Sequence, residues 1–271
     1  MDLEIKGKTA LITGGDSGIG FETAKILAIE GVKIILTDRD EEALKDAKEK
    51  LQAETKSSIK VYTKTADLAD NQDVLQLQQF VEEDHGGADI LVNCAGARGA
   101  AGDFLELSDK DWQETIDIDL MGAVRVCRAF IPNMKKNGWG RIVLISSENA
   151  FQPYEEESPY NACKAAIINL SKCLSRSYGK DGILVNTVSP AFIETPMTNA
   201  MMQELAKQKD TTVNKAVDWF LENKRPHIEV QRRGKPEEVA AVISFLCSEK
   251  ASFVNGSNYR VDAGSVASAF G

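Results

Sequence analysis

The sequence predicts a doubly wound α/β fold: one parallel sheet of about seven strands, with helices on both faces. Three observations carry this expectation. Apolar strand-like runs and amphipathic helix-like runs alternate almost to the end of the chain, as βαβ units do. The first apolar run passes into a glycine-rich turn, Thr13-Gly14-Gly15-Asp16-Ser17-Gly18-Ile19-Gly20, and at once into a helix-like run from Phe21 to Glu30. The 271 residues suffice for one large domain with a buried core, and nothing in the composition asks for a second.

In chain order, strands are expected near 8–12, 33–37, 59–64, 89–93, 140–146, 182–188 and 258–261. Helices are expected near 18–30, 41–54, 71–84, 111–136, 159–178 and 236–248. The first strand ends in the glycine turn. Glycine lets a backbone take positive φ and lets a bulky anion come close, while the free N–H groups and positive dipole of a helix start attract phosphate. The spacing Gly14-x3-Gly18-x-Gly20 differs from the commoner G-x-G-x-x-G, and such patterns also occur in plain surface turns. Between a strand and a helix, however, it marks a Rossmann-like dinucleotide site, with Gly14, Asp16, Ser17, Gly18, Ile19 and Gly20 around the ligand.

The second strand, Lys33-Ile34-Ile35-Leu36-Thr37, closes on Asp38, eighteen residues after Gly20. An acid there accepts both hydroxyls of the adenosine ribose and repels a 2′-phosphate. Asp16 adds a second negative charge where that phosphate would sit. The expected cofactor is NAD; Arg39, placed to meet a phosphate, keeps NADP as the alternative.

Further along, the helices at 111–136 and 159–178 are too apolar to be one-sided. Trp112, Ile116, Leu120, Val124 and Met134 cover one broad face of the first while Met121, Val126 and Phe130 fall elsewhere, and Ile167, Ile168 and Leu170 crowd the second. Such surface predicts a homo-oligomer, dimer or tetramer, unless long loops cover it. Ser158-Pro159 reads as a cap and first helical residue, with Gly179 closing the same helix, and Pro236-Glu237-Glu238 opens the last one. Residues 198–230 break the alternation with two helical stretches, Asn199–Gln208 and Val213–Asn223. Met197, Met201, Met202, Trp219 and Phe220 gather flexible and aromatic surface there, as a substrate lid would, or as helices simply packed on the domain would.

Forty-one acidic residues against thirty-two basic ones give a net charge of −9, which argues against nucleic acid or an anionic membrane as partner. No apolar run reaches transmembrane length and the first residues lack the regions of a signal peptide, so a cytoplasmic protein with a small-molecule ligand is expected. Cys94, Cys127, Cys163, Cys173 and Cys247 form no C-x-x-C pair, and no metal site is expected. Cys163 reads as a small buried apolar residue in a reduced compartment.

Tyr160-Asn161-Ala162-Cys163-Lys164 falls in the first turns of a helix, so Tyr160 and Lys164 project from one face. A phenol near pKa 10 is a poor base at neutral pH, but an ammonium held close favours the phenolate. Ser147 ends the strand Arg141–Ser146, at the carboxyl edge of the sheet where ligands of such folds bind, and its hydroxyl is suited to hydrogen-bond a substrate oxygen. A Tyr-x3-Lys pair alone is a common solvated pair on any helix; its position after a glycine turn and a strand-end serine is what gives it weight.

Over nearly its full length the chain resembles the short-chain dehydrogenase/reductase family. The marks are the Thr13–Gly20 turn, Asp67-Leu68 after the third strand, Asn93-Cys94-Ala95-Gly96 after the fourth, Ser147, Tyr160, Lys164, then Asn186, Pro190, Ile193, Thr195 and Val261-Asp262. The resemblance implies Tyr160 as acid/base, Ser147 as the residue that orients substrate, and Lys164 as the residue that holds the nicotinamide ribose and acidifies the tyrosine. It further implies that Asp67 faces adenine, Asn93 supports the central strands and Thr195 grips the carboxamide. Leu68, Asn93, Ala95, Gly96, Tyr160, Lys164, Pro190 and Ile193 join the expected cofactor contacts.

Three departures stand out. Asp119-Leu120-Met121-Gly122 places aspartate where the family has a catalytic asparagine; its main-chain carbonyl still serves a proton relay, whereas an ionised side chain cannot donate as an amide does. Ala191 replaces a glycine, and Asp262-Ala263-Gly264 replaces Asp-Gly-Gly. The sequence therefore reads as an NAD-dependent oxidoreductase that interconverts a secondary alcohol and a ketone. The alternatives are an NADP-dependent carbonyl reductase and a nucleotide-binding regulator whose chemistry has faded. Arg98, Ser147, Asn149, Tyr154 and Tyr160 are the expected substrate contacts, with Glu148, Phe151 and the methionines of the lid nearby.

Overall fold

The computed structural model describes residues 2–55 and 60–269. Seven strands form one sheet: β1 (Thr9–Thr13), β2 (Lys33–Thr37), β3 (Val61–Thr63), β4 (Ile90–Asn93), β5 (Gly140–Ile145), β6 (Ile183–Pro190) and β7 (Asn258–Val261). Residue 59, expected at the start of the third strand, lies outside the described residues. The order is β3-β2-β1-β4-β5-β6-β7 and every pairing is parallel. β1, β2 and β4 are buried almost throughout, which is why they read as unbroken apolar runs.

The helices are α1 (Gly18–Ile29), α2 (Glu41–Thr55), α3 (Asn71–His85), α4 (Asp109–Ile116), α5 (Gly122–Asn137), α6 (Ser158–Tyr178), α7 (Pro196–Gln208), α8 (Val213–Lys224) and α9 (Pro236–Leu246). They cover both faces of the sheet. On one face Phe21 and Leu27 of α1 pack with Ile243 of α9 against Ile12, Ile34 and Val92. On the other, Leu77 of α3, Phe130 of α5 and Ile167 of α6 pack against Leu11, Ile35 and Leu144. Strand order reverses between β1 and β4, so the crevice at their carboxyl ends is where such a sheet binds ligands. No helix among the described residues is long and apolar enough to cross a membrane.

The helix expected at 111–136 is broken. α4 starts at residue 109 on a capping box, in which Ser108 accepts from the Asp111 N–H and the Asp111 carboxylate accepts from the Ser108 N–H at 2.9 Å. A π-helical turn, Asp117–Met121, then joins α4 to α5, with the Gly122 N–H bonded to the Asp117 carbonyl. Arg125 secures it: Nη1 donates to the carbonyls of Leu68 and Asp117, and Nη2 lies 3.2 Å from Asp117 Oδ1. Such single π turns concentrate at functional positions, and this one carries buried Asp119.

One further expectation is corrected: Ser158 is the first helical residue of α6 rather than its cap, and no side chain caps that end. Gly179 caps the carboxyl end of α6 as expected, with helical φ, and Gly182, at φ +79°, makes the left-handed turn into β6. The apolar faces of 111–136 and 159–178 are covered in part: Trp112, Ile116, Leu120, Val124, Ile168 and Leu170 are half-buried. Ile167, Val126, Phe130 and Met134 are buried, and among the described residues none of the strongly exposed large hydrophobics lies on α4, α5 or α6.

Residues 196–224 form α7 and α8, closely matching the two helical stretches expected there. They share a small core of Phe192, Met202, Phe220, Leu221 and Ile228, with the Phe192 and Phe220 ring centres 4.8 Å apart. Met202 is fully enclosed in that core, whereas Met197 remains exposed.

Candidate active site

The glycine turn is sterically committed. A Cβ on Gly14 would sit 2.8 Å from the Ala95 backbone nitrogen, and one on Gly20 would sit 2.1 Å from the Gly14 carbonyl oxygen. Only glycine lets the turn fold this tightly against the end of β4. Thr13 completes the junction: its Oγ1 donates to Asn93 Oδ1 at 2.9 Å and accepts from the Ala95 N–H at 3.1 Å. Asn93 is thus a buried latch between β1 and β4 and lines neither cavity described below. Ser17 starts α1 without a side-chain cap, and the first turn carries no acid, so its N–H groups face the crevice for an anion.

A cleft of about 290 Å³ opens there. Its walls include Gly14, Asp16, Ser17, Gly18, Ile19, Gly20, Asp38, Ala95, Gly96, Pro190, Ile193 and Thr195, together with Asp119, Ser147, Tyr160 and Lys164. A smaller cavity adjoins it, lined by Asp38, Arg39, Asp67, Leu68, Ala97 and Ile118, and Asp38 and Ala95–Ala97 belong to both. Twin compartments joined past a strand-end acid, with an uncapped helix start between, fit a dinucleotide lying across the sheet edge. Asp16 and Asp38 lie side by side; burial first, then the Asp38 charge, pushes the Asp16 carboxyl above its ordinary range.

Ser147, Tyr160 and Lys164 come together as the spacing predicts. Lys164 Nζ sits 5.2 Å from the centre of the Tyr160 ring. Ser146 Oγ donates to the Lys164 carbonyl at 2.7 Å, tying α6 to the end of β5. Lys164 is buried and its Nζ lies 3.2 Å from Asp119 Oδ1, which also accepts the Ala97 N–H at 3.2 Å. Asp119 Oδ2 has no hydrogen-bond partner among the described residues. Burial works against the Lys164 charge, but Asp119, Tyr160 and Cys163 outweigh it and the net shift is upward. Tyr160 also shifts upward: burial raises it, Lys164 opposes the rise, and Asp119 adds to it. The expectation of an unusually acidic phenol is therefore corrected for the protein's own groups. Lys164 acts in the expected direction and is outweighed.

The expected substrate contacts divide. Ser147 and Tyr160 face the cleft. Asn149 is buried and fully engaged with Ser147, Glu157 and Asn161, and Tyr154 packs under Arg225. Arg98 is exposed and lines neither cavity. Sequence reasoning missed Ala97 and Ile118 of the smaller cavity, which carry no chemical signature. It also missed Arg225, whose partners are distant in sequence.

The model of a family described as enoyl-(acyl carrier protein) reductase matches residues 14–265. The chain belongs to the short-chain dehydrogenase/reductase family. An uncharacterized oxidoreductase, YvaG, of Bacillus subtilis is 33% identical over 270 residues, covering all of both chains. The human dehydrogenase/reductase SDR family member 4 is 30% identical over 260 residues, covering 96% of this chain and 88% of that one. The solved structure of L-sorbose reductase from Gluconobacter frateurii, complexed with NADPH and L-sorbose, superposes with a TM-score of 0.93 at 36% identity, covering 99% of this chain and 100% of that one.

Proposed function

We propose that this oxidoreductase interconverts a secondary alcohol and a ketone, with Tyr160 as the acid/base and NAD as the preferred cofactor. The observation that carries this reading is that Ser147, Tyr160 and Lys164 line the same cleft as the glycine turn. The turn, Asp38, Asp67, Leu68, Lys164 and Thr195 would hold a nicotinamide dinucleotide, which when bound supplies or accepts the hydride. Ser147 hydrogen-bonds the substrate oxygen. Tyr160 gives its proton to that oxygen in reduction and takes it back in oxidation. Lys164 holds a positive charge beside the phenol while the proton is away.

The NAD preference rests on Asp38 and Asp16, two carboxyl groups where a 2′-phosphate would have to fit. Arg39 supports the second reading, NADP, because it lines the adenine-side cavity, and the L-sorbose reductase was solved with NADPH. The substrate class is a small hydroxylated ketone or alcohol, with residues 198–230 as its lid and Met197 at the mouth of the cleft. Assembly through 111–136 and 159–178 belongs to the same reading, and sedimentation tests it.

A panel of secondary alcohols and ketones, assayed with NAD(H) and NADP(H), tests the proposal. Turnover is expected in the wild type and a loss of about a thousandfold or more in Tyr160→Phe, with nucleotide binding kept. Binding without hydride transfer to any substrate would instead describe the faded regulator.

A further inference from the structure

Arg225 follows α8 directly and is only 9% exposed, so a permanent cation is buried at the foot of the lid. Its guanidinium lies over the Tyr154 ring, 3.3 Å from the ring centre. Nε is 3.3 Å from Glu148 Oε1 and Nη2 is 3.7 Å from Glu157 Oε2. Tyr154 Oη donates to the same Glu148 oxygen at 3.1 Å. Both acids lie in the segment between Ser147 and α6, so Arg225 joins the lid to the loop that carries the substrate-orienting serine.

The connection reaches the serine hydroxyl itself. Glu157 Oε2 accepts from Asn149 Nδ2 at 2.7 Å, and the same amide nitrogen donates to Asn161 Oδ1 at 2.8 Å. A carboxylate only accepts, and Asn161, whose Nδ2 donates to the Tyr154 carbonyl at 2.8 Å, turns its Oδ1 to the same amide, so Asn149 presents its NH2 to Glu157 and Asn161 and its Oδ1 to Ser147. Ser147 Oγ donates to that Oδ1 at 3.1 Å. Charge-assisted bonds of this kind are the stronger ones, and the Arg225 guanidinium lies 3.7 Å from the same Glu157 oxygen. One line runs from lid to site: Arg225, Glu157, Asn149, Ser147.

Resting on the dehydrogenase reading above, we infer that Arg225 is a positioning residue: through Glu157 and Asn149 it sets the direction of the Ser147 hydroxyl and ties that setting to the docked lid. With Asn149 reversed, Ser147 would be asked to accept from an NH2 group, and its lone pairs rather than its proton would be committed. As found, the Ser147 proton lies on Asn149 Oδ1 and one lone pair takes the Asn149 N–H at 3.2 Å, so the hydroxyl meets the cleft as an acceptor, for a substrate alcohol or the Tyr160 phenol; reversal would present it as a donor instead.

Three variants of the full chain test this: Arg225→Met, Arg225→Lys and Glu157→Leu. Amide hydrogen exchange over residues 147–161 and 196–224 is read without added ligand, and kcat and KM are read separately on whichever substrate the wild type turns over. Arg225→Met is expected to speed exchange in both segments together by at least tenfold and to lower kcat at least tenfold, with KM moved less than threefold; Arg225→Lys recovers part of both. Glu157→Leu, which leaves the Arg225–Glu148 pair intact and no acceptor for Asn149 Nδ2 at residue 157, is expected to keep lid exchange within twofold of wild type and still lower kcat at least fivefold. Faster exchange confined to the lid, or kcat within twofold of wild type in Glu157→Leu, overturns the inference. Should Arg225→Met fail to fold, Glu157→Leu decides alone. If the wild type transfers no hydride at all, the functional reading fails, while coupled or uncoupled exchange still decides whether lid and serine loop are joined.

Discussion

Replacing Asp119 by asparagine isolates one charge. Asp119 Oδ1 accepts from Ala97 and faces Lys164 Nζ, so an amide oxygen fills both roles, and the new NH2 takes the place of Oδ2, which has no partner among the described residues. The distances of 3.2 Å from carboxylate to ammonium and 5.2 Å from ammonium to ring centre bring the lost charge within about 8 Å of the Tyr160 ring. At an effective dielectric constant of about 20, a unit charge at that range is worth about 2 kcal/mol, or roughly 1.5 pH units. Asp119 raises the phenol's hold on its proton, so its removal lowers the pH at which Tyr160 ionises. Alcohol oxidation needs the phenolate and gains as pH rises through that value; carbonyl reduction needs the phenol and loses there. Both limbs should therefore move to lower pH in Asp119→Asn, by roughly 1 to 1.5 units. The assay is the pH dependence of kcat/KM in each direction from pH 6 to 10. Limbs that stay within 0.3 units of wild type, or move upward, would refute this account of the site's electrostatics.

Asp38→Ser should raise the affinity for NADPH relative to NADH at least tenfold by fluorescence titration, since it removes one of the two carboxyl groups where the 2′-phosphate must lie; an unchanged ratio leaves the discrimination elsewhere. Gly20→Ala forces a methyl group to within 2.1 Å of the Gly14 carbonyl oxygen, and should lower stability by about 1–3 kcal/mol in denaturant melts and abolish nucleotide binding. Titration of the native thiols at pH 8 should find Cys173 reacting quickly and alone, because burial pushes Cys94 and Cys127 up to about 12 and Cys163 up to about 11, and also raises Cys247; a second fast thiol would contradict that burial.

What was legible in the sequence follows from where the physics is local. β1, β2 and β4, buried on both faces, leave unbroken apolar runs, whereas half-buried β7, Asn258–Val261, is readable only from its place after the last helix. The glycine turn was readable because clashes with its own strand and with Ala95 demand glycine at fixed places. The π turn was not: it adds one residue to a helix whose composition is otherwise ordinary, and its i→i+5 bond leaves no residue-type mark. Buried Asp119, which faces Lys164, lies within that turn. Arg225 was invisible for a different reason. Lying between Lys224 and Pro226, it reads as one more surface cation, and its partners Glu148 and Glu157 sit far back in the chain beside a run of glutamates that looks solvated.

These two illegible features together set the charge of the site. Lys164 faces Asp119, and Arg225 faces Glu148 and Glu157, so three carboxyl groups answer two buried cations around Ser147 and Tyr160. Glu148 has burial as the largest influence on it, which pushes it upward, while Ser265, Arg225 and Tyr154 pull it back. Glu157 and Asp119 both raise the Tyr160 phenol's hold on its proton. An oxidising site needs the phenolate and so gains from surplus positive charge; here the balance runs the other way. The protein's own groups therefore favour the protonated form of Tyr160. The two pH limbs measured for Asp119→Asn show how much of that balance comes from one carboxylate.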